Sequence, residues 1–313
     1  MLRVGIVGCG GISGSHIPAW ESFEDCKLVS VCDVRPEQMK KFTDKRCYTN
    51  IDEMLEKEEL DILDICLPTY LHADCAIKAM EKGINVICEK PISLKFDDVA
   101  RIYGTAAKYN VKFMVAHVIR FWPEYKFVKE VFDNKTYGNL LSGSMSRLGS
   151  YPKWTWDNWM SDEKRSGLTP YDLHIHDLDY MVYTFGKPNN VVTHRSGKPD
   201  QDYMHAVYEF DGFFITGEAS WYASCYPFAM KFRFQFEKAV IAMEGNGLKV
   251  YTSDGETISV TGEAEASGNI NLPVTNAYAD ELEYFKNCVK NDTDADIVKP
   301  EELECVIDIL NSF

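Results

Sequence analysis

Apolar and polar positions fall into two regimes along the chain. Up to about residue 117, short apolar runs alternate with stretches of helical spacing. Leu2, Val4, Ile6 and Val7 form a β-branched run that reads as a buried strand. Residues 27–32, 61–67, 84–88 and 112–116 read the same way. Between them, residues 12–20, 36–43, 51–58, 71–82 and 97–109 carry helical spacing. Pro36 stands at a favoured helix start and Gly83 at a favoured stop, and Asp97 and Asp98 put negative charge into a first turn. Strands regularly separated by helices predict a parallel sheet with right-handed crossovers.

After residue 117 the period changes. Residues 119–125 (IRFWPEY) are aromatic and broken by Pro123, which predicts a hinge out of the first domain. A helix is expected over 126–133. Alternating, β-rich stretches follow at 140–148, 191–195, 203–210, 213–222, 230–236, 240–243 and 248–252. Asp211-Gly212 between two of them predicts a tight hairpin. Residues 276–313 read as mostly helical, with Tyr278, Leu282, Phe285 and Val289 on one stripe. Phe213, Phe214, Trp221, Phe232, Phe234 and Phe236 exceed what one small layer of helices is expected to cover. An exposed apolar sheet face would make a contact between copies; burial of both faces within one chain is the plainer alternative.

The first strand leads into the candidate chemistry. Gly8, Gly10 and Gly11 turn the chain between strand and helix. Gly8 allows the tight turn, Gly10 lets the backbone approach a pyrophosphate, and the helix start from Ile12 presents N–H groups to its charge. The third glycine of the usual fingerprint is replaced by Ser13. The next strand ends in Asp33, at about the 20-residue distance where an acidic side chain takes the adenosine ribose hydroxyls. This predicts an α/β protein: an N-terminal Rossmann parallel sheet over 1–118, then a C-terminal α+β domain over 119–313 with an open, mostly antiparallel sheet. The expected cofactor is NAD, with NADP open because Arg35 stands ready for a 2′-phosphate.

Composition narrows the partners. A formal charge of −15 over 313 residues argues against nucleic acid and anionic membranes, both of which need basic patches. No apolar run approaches a membrane span, and with a strand starting at Leu2 no signal peptide is expected. The ten cysteines are scattered without a CxxC pair, so no metal site is expected and a reduced, cytoplasmic setting fits. Cys9, inside the glycine turn, is either a reactive thiol or a small packing residue.

Residues 66–91, CLPTYLHADCAIKAMEKGINVICEKP, resemble the central signature of the glucose–fructose oxidoreductase/inositol dehydrogenase/rhizopine catabolism (Gfo/Idh/MocA) family. GCGGI with His16 behind it is similar to the family's opening. The resemblance implies that Lys90, in Glu-Lys-Pro, reaches an active site. Residues 167–177 resemble a second active-site stretch, in which Asp172 and His176 lie four apart. If helical, the two share one face, and a neutral imidazole suits proton transfer near neutrality. Lys90, His176 and Asp172 are thus the catalytic candidates. The cofactor candidates are Gly8, Gly10, Gly11, Ile12, Asp33, Arg35, Leu67, Pro68, Thr69, His72, Glu89 and Lys90. Two departures from the family pattern stand out: only Gly167 remains of the glycines before the aspartate, and His174 replaces a frequent glycine. His174 either extends the site or packs. Trp154, Trp156 and Trp159 form either an apolar wall for a sugar ring or ordinary packing. A cis Lys90–Pro91 bond is expected.

The resemblance implies an NAD(P)-dependent dehydrogenase or reductase of a sugar, cyclitol or other polyol, working as a homo-oligomer through its C-terminal sheet. An NAD-dependent glycosidase with transient redox, and a non-catalytic dinucleotide sensor, are the alternatives.

Overall fold

The computed structural model describes residues 1–198, 200–245, 247–260, 266–267, 272–273 and 276–313. The chain forms two compact units: Met1–Val118 with Asn276–Leu303, and Ile119–Thr275 with Glu304–Phe313.

The first unit alternates strand and helix: β1 (Leu2–Val7), α1 (Ser13–Ser22), β2 (Cys26–Cys32), α2 (Pro36–Met39), β3 (Arg46–Tyr48), α3 (Ile51–Lys57), β4 (Ile62–Ile65), α4 (His72–Met80), β5 (Asn85–Glu89), α5 (Asp97–Tyr109) and β6 (Phe113–Ala116). The strands form a parallel sheet in the order β3-β2-β1-β4-β5-β6. That is the doubly wound dinucleotide-binding order, with its switch point between β1 and β4. Val4, Ile6, Ile62, Leu63, Ile65, Val86 and Ile87 are buried, as strands covered on both faces require. The helix expected over 36–43 stops after one turn at Met39. Edge strand β3 carries no apolar signal, because its residues are exposed or half-buried.

In the second unit, α6 (Pro123–Asn134) starts at the proline expected to break the chain; Pro123 occupies the first helical turn, where its missing N–H costs nothing. Then come β7 (Leu140–Ser150), α7 (Glu163–Ser166), a π-helical turn (Pro170–His174) running into α8 (Ile175–Phe185), and β8 (Asn190–Lys198), β9 (Gln201–Phe210), β10 (Phe213–Tyr222), β11 (Ala229–Phe236), β12 (Ala239–Met243), β13 (Leu248–Thr252) and β14 (Thr257–Ser259). The eight strands pair in the order β14-β13-β12-β11-β7-β10-β9-β8, antiparallel except for β7 with β10. Asp211-Gly212 closes a hairpin in which Phe210 faces Phe213, with Gly212 at φ +86.

One face of this sheet carries most of the aromatic load. Trp221, Phe232, Phe234 and Phe236 are buried, and Tyr125 of α6 and Phe185 of α8 pack edge-on or tilted against Phe232 and Phe234. Of the six aromatics expected to overload one layer, Phe214 lies on the opposite face, 47% exposed beside Val192 and Val207. That opposite face also carries Ser142, Ser144, Lys231 and Arg233, so it is mixed rather than aromatic. The expected aromatic excess is corrected by the strand period: alternate positions send the large rings inward.

The C-terminal segment departs from the expected division at 118/119. Helix α9 (Ala277–Asn291) lies against α1 in the first unit, with Leu282 and Phe285 fully buried. Lys286 and Lys290 both reach Asp25 at 2.7 Å. The stripe read from the sequence is therefore core, but core of the first unit. The last helix is α10 (Pro300–Leu310).

His174 packs rather than extends a site. Its Nε2 meets the Tyr208 hydroxyl, its ring stacks on Tyr208, and a Cβ on Gly217 of β10 would collide with it. Burial, with Arg147 nearby, pushes its pKa down to about 3. The neutral ring in the fold against an ordinary histidine in the unfolded chain makes stability fall as pH drops from about 6.5 toward about 3. Urea unfolding of wild type and His174→Gln should show the difference: from pH 7 to pH 5 wild type loses about 2 kcal/mol more than the non-titrating variant. Parallel pH profiles would contradict this.

Candidate active site

The turn after β1 is built where two strands crowd together. Gly8 donates its N–H to Cys32 at 2.8 Å, and Cys66 donates to Val7 at 2.8 Å, so β1 is tied to both neighbours just before it ends. Gly8 has φ +92, and a Cβ there would be driven into the Cys66 carbonyl. Gly10 is different: a Cβ would meet nothing within 4 Å. The first lets the backbone turn, the second keeps open the approach to a helix start. Helix α1 has no side-chain cap and no acidic residue in its first turn, so its leading N–H groups suit an anion. Ser13, in the third fingerprint position, is buried and hydrogen-bonds the Gly10 carbonyl at 2.7 Å, bracing the turn from inside. Gly11 is exposed and Ile12 half-buried at the same end.

Asp33 is held in place on both oxygens. Oδ2 accepts from the Cys9 N–H at 2.9 Å, and Oδ1 accepts from the Arg35 N–H at 2.8 Å and its Nε at 3.2 Å. The expected acidic strand end is present, and Arg35 lies directly on it. Cys9 is not a reactive thiol: burial, with Asp33 close by, pushes its pKa up to about 12.

The ends of β4 and β5 carry the next candidates. Leu67 and Pro68 are half-buried and Thr69 is buried, opening the short turn before α4. His72 does not face outward. Its Nε2 sits 2.7 Å from the Leu67 carbonyl and its Nδ1 2.7 Å from the Pro91 carbonyl. Burial lowers its pKa, while the two carbonyls favour a protonated ring. His72 thus bridges the two loops that carry the other candidates. Lys90 is half-buried just past β5, and the Lys90–Pro91 bond is cis.

Under this edge lies a group of buried charges that periodicity does not reveal. His16 Nδ1 is 2.8 Å from Asp64, its Nε2 is 3.0 Å from Glu89, and Trp20 donates to Asp64 at 2.7 Å. Asp64, an aspartate inside an otherwise apolar strand, is a sequence signal beside His16 and Glu89, which the family-like motifs already mark. His16, Asp64 and Cys66 bring donor atoms within 4.8 Å of one another, a spacing that also suits a metal. Burial and Asp64 push the Cys66 thiol far up, so it keeps its proton, and Asp64 already accepts two N–H bonds. As they stand, His16 and Asp64 are paired with the Cys66 thiol beside them.

In the second unit, Asp172 lies in the π-helical turn and His176 near the start of α8. Both are half-buried, while His174, Ile175 and Asp177 are buried, so the two share the more open strip of this segment. A wide turn of this kind often marks a functional position. The segment begins on Gly167 and Leu168, both left-handed at φ +71 and +59. Leu168 does without glycine there because its side chain is buried beside Tyr151, Met160 and Trp221. The Thr169 N–H is held by Asp202 at 3.0 Å, and Arg195 pairs with the same carboxylate. The three tryptophans do not make one wall: Trp159 packs against the Tyr151 cluster, while Trp154 and Trp156 are 66% and 40% exposed.

Comparison with known proteins agrees with this geometry. Residues 2–117 match the model of the oxidoreductase family with an NAD-binding Rossmann fold, and residues 125–242 match the GFO/IDH/MocA C-terminal domain. The chain belongs to the GFO/IDH/MocA oxidoreductase family. Its first unit is accordingly an NAD-binding Rossmann domain, and the open Gly10 face, the uncapped α1 and Asp33 fit that cofactor. The chain is 29% identical over 193 residues to 2,7-anhydro-N-acetylneuraminate hydratase of Mediterraneibacter gnavus, covering 61% of this chain and 51% of that protein. It is 27% identical over 192 residues to glucose-6-phosphate 3-dehydrogenase of Bacillus subtilis, covering 59% and 54%. The matches thus span about half the length of these curated relatives. The fold is also that of a levoglucosan dehydrogenase solved with NADH and levoglucosan, at TM-score 0.83, 19% identity and coverage of 99% and 95%.

The two glycines make a paired prediction. Gly10→Val should unfold like wild type and lose at least about tenfold in NADH affinity by fluorescence titration, because a branched side chain blocks the backbone approach to pyrophosphate. Gly8→Val should lower stability first. Equal NADH affinity in Gly10→Val would show that the helix start is not the phosphate site.

Proposed function

We propose that this protein is an NAD(P)-dependent oxidoreductase that moves a hydride between nicotinamide and a carbinol or carbonyl carbon of a sugar, cyclitol or related polyhydroxylated compound. The observation that carries the reading is Lys90, half-buried beyond the carboxyl end of β5, on the same sheet edge as the open glycine turn. Names of relatives such as glucose-6-phosphate 3-dehydrogenase support the substrate class.

Bound dinucleotide supplies the hydride acceptor or donor; the protein supplies position and charge. In this reading Lys90 hydrogen-bonds the substrate oxygen and favours its alkoxide character. His176 takes or returns the hydroxyl proton, and Asp172 orients the imidazole or holds a second hydroxyl. Gly8, Gly10, Gly11 and Ile12 receive the pyrophosphate, Asp33 the ribose, and Leu67, Pro68, Thr69 and Glu89 line the edge beside them. His72 acts through the loops it clamps. Self-association through the eight-stranded sheet belongs to the same reading, supported by half-exposed Val192, Phe214 and Tyr251 on its open face. So does a cytoplasmic setting, supported by the scattered cysteines. Cleavage or hydration with transient redox is the second reading, favoured by the hydratase name of the Mediterraneibacter relative.

A panel of polyols and sugars, each followed by absorbance with NAD and with NADP, tests the reading; net NADH formation separates it from transient redox. With the best substrate, Lys90→Ala should fold and bind NADH while turnover falls by about 10²–10⁴. His176→Ala should fall by a similar factor and flatten one limb of the pH–rate profile, and Asp172→Asn should lose less. Unchanged turnover in Lys90→Ala removes the mechanism and leaves the dinucleotide domain intact.

Cofactor choice gives a separate outcome. The charge of Asp33 disfavours a 2′-phosphate, so NAD should bind more tightly than NADP. Asp33→Ala, which releases Arg35 from its carboxylate, should narrow or reverse that order. Tighter NADP binding by the unaltered protein would overturn the assignment.

A further inference from the structure

Asp64 and His16 have no exposed side-chain surface, and Glu89 has almost none. Their contacts form a chain. Asp64 Oδ2 accepts from Trp20 Nε1 and faces His16 Nδ1 at 2.8 Å; His16 Nε2 faces Glu89 Oε1 at 3.0 Å; and Glu89 Oε2 accepts the main-chain N–H of Lys90 at 3.2 Å. An ionised carboxylate only accepts, and a neutral imidazole has a single N–H to give. With both carboxylates ionised, a ring held between them donates from both nitrogens and carries the charge. Burial works against that form, but the adjacent Asp64 outweighs it and holds the pKa of His16 well above the usual histidine range.

The chain starts and ends at positions that matter. His16 lies in α1, one turn beyond the uncapped helix start that suits an anion. Glu89 is the last residue of β5, and the next peptide carries Lys90. Both anions would be costly to bury without the cation between them. The cation in turn fixes which Glu89 oxygen is left for Lys90.

We propose that His16 is a positioning residue for Lys90: a buried imidazolium that orients Glu89 so that its second oxygen holds the Lys90 main chain, linking the cofactor-facing helix to the lysine. This deepens the functional reading and rests on its assignment of Lys90. A His16 that merely filled space would be replaceable by any side chain that kept the fold.

The test separates local from global effects without needing a substrate. In ¹⁵N-labelled protein, both ring nitrogens of His16 should be protonated at pH 7, assigned by loss of their signals in His16→Gln. The Lys90 amide should exchange with solvent at least about tenfold faster in His16→Gln and in Glu89→Gln, as loss of a charge-assisted hydrogen bond implies. The Val86 amide, bonded to the Lys112 carbonyl in the same strand, should keep its rate. With a substrate in hand, both variants should lose kcat while NADH affinity stays close to wild type in His16→Gln, and the double variant should lose no more kcat than the worse single one. A neutral His16 ring at pH 7, an unchanged Lys90 amide, or joint acceleration of Lys90 and Val86 overturns the proposal. If His16→Gln fails to fold, Glu89→Gln alone gives the amide readout. If Lys90→Ala keeps full turnover, the catalytic role falls, while the amide rates still report whether the contact chain exists.

Discussion

The carboxyl edge of the parallel sheet depends on how closely β1 and β4 approach as they end. Strands in a sheet lie about 4.8 Å apart, which leaves room for side chains above and below but none between. At Gly8 the chain must turn across the top of β4, and the Cys66 carbonyl occupies the space a side chain would take. Hydrogen bonds from Gly8 to Cys32 and from Cys66 to Val7 fix that approach on both sides. Given this, the start of α1, the Asp33 carboxylate and the loops after β4 and β5 fall along one rim. Apolar burial sets the sheet; the rim is set by main-chain packing at one residue.

Below the rim the protein accepts buried charge. Asp64 interrupts a strand otherwise suited to full burial, and Trp20, His16 and Glu89 satisfy it in sequence. Replacing such a network by apolar residues often leaves stability unchanged or higher, so its worth is better sought in geometry than in stability. The second unit has a counterpart in Arg147, which pairs with buried Asp177 at 2.8 Å and bonds the Tyr125 hydroxyl at 3.1 Å. There, too, a fully enclosed cation ties helix to sheet.

The strands of the first unit were legible because both faces are covered, so apolar runs and strands coincide. Edge strand β3 was not, since an exposed three-residue strand has no apolar pattern. The Asp211-Gly212 hairpin and Asp97–Tyr109 were legible from local rules alone. Near Pro123 the change of unit was legible but the helix start was not, because one residue type marks both a break and a first helical turn. The glycine turn and the acidic end of β2 were legible as a local pattern of a dinucleotide-binding domain. The buried network was not: His16, Asp64 and Glu89 are 48 and 25 residues apart along the chain, and only the strand order brings them together. The two carbonyls that His72 bridges were not legible, because a histidine beside a loop and one beneath it look alike in sequence. The membership of α9 was hidden for the same reason; an amphipathic stripe says that a helix is buried, not against what.

The π-helical turn at Pro170–His174 makes the second unit's candidate residues unusually easy to re-index. Such a turn holds one residue more than an α-helix needs. Deleting a single residue there would restore α-helical geometry and rotate everything before it by about 100° relative to α8. His176, Asp177 and Asp179 would keep their places, while Asp172 would swing to another side of the helix axis. Length variation by one residue is therefore a route by which relatives could change what the aspartate addresses without repacking the helix beneath it. Gly167 and Leu168, already left-handed, supply the hinge such a change requires.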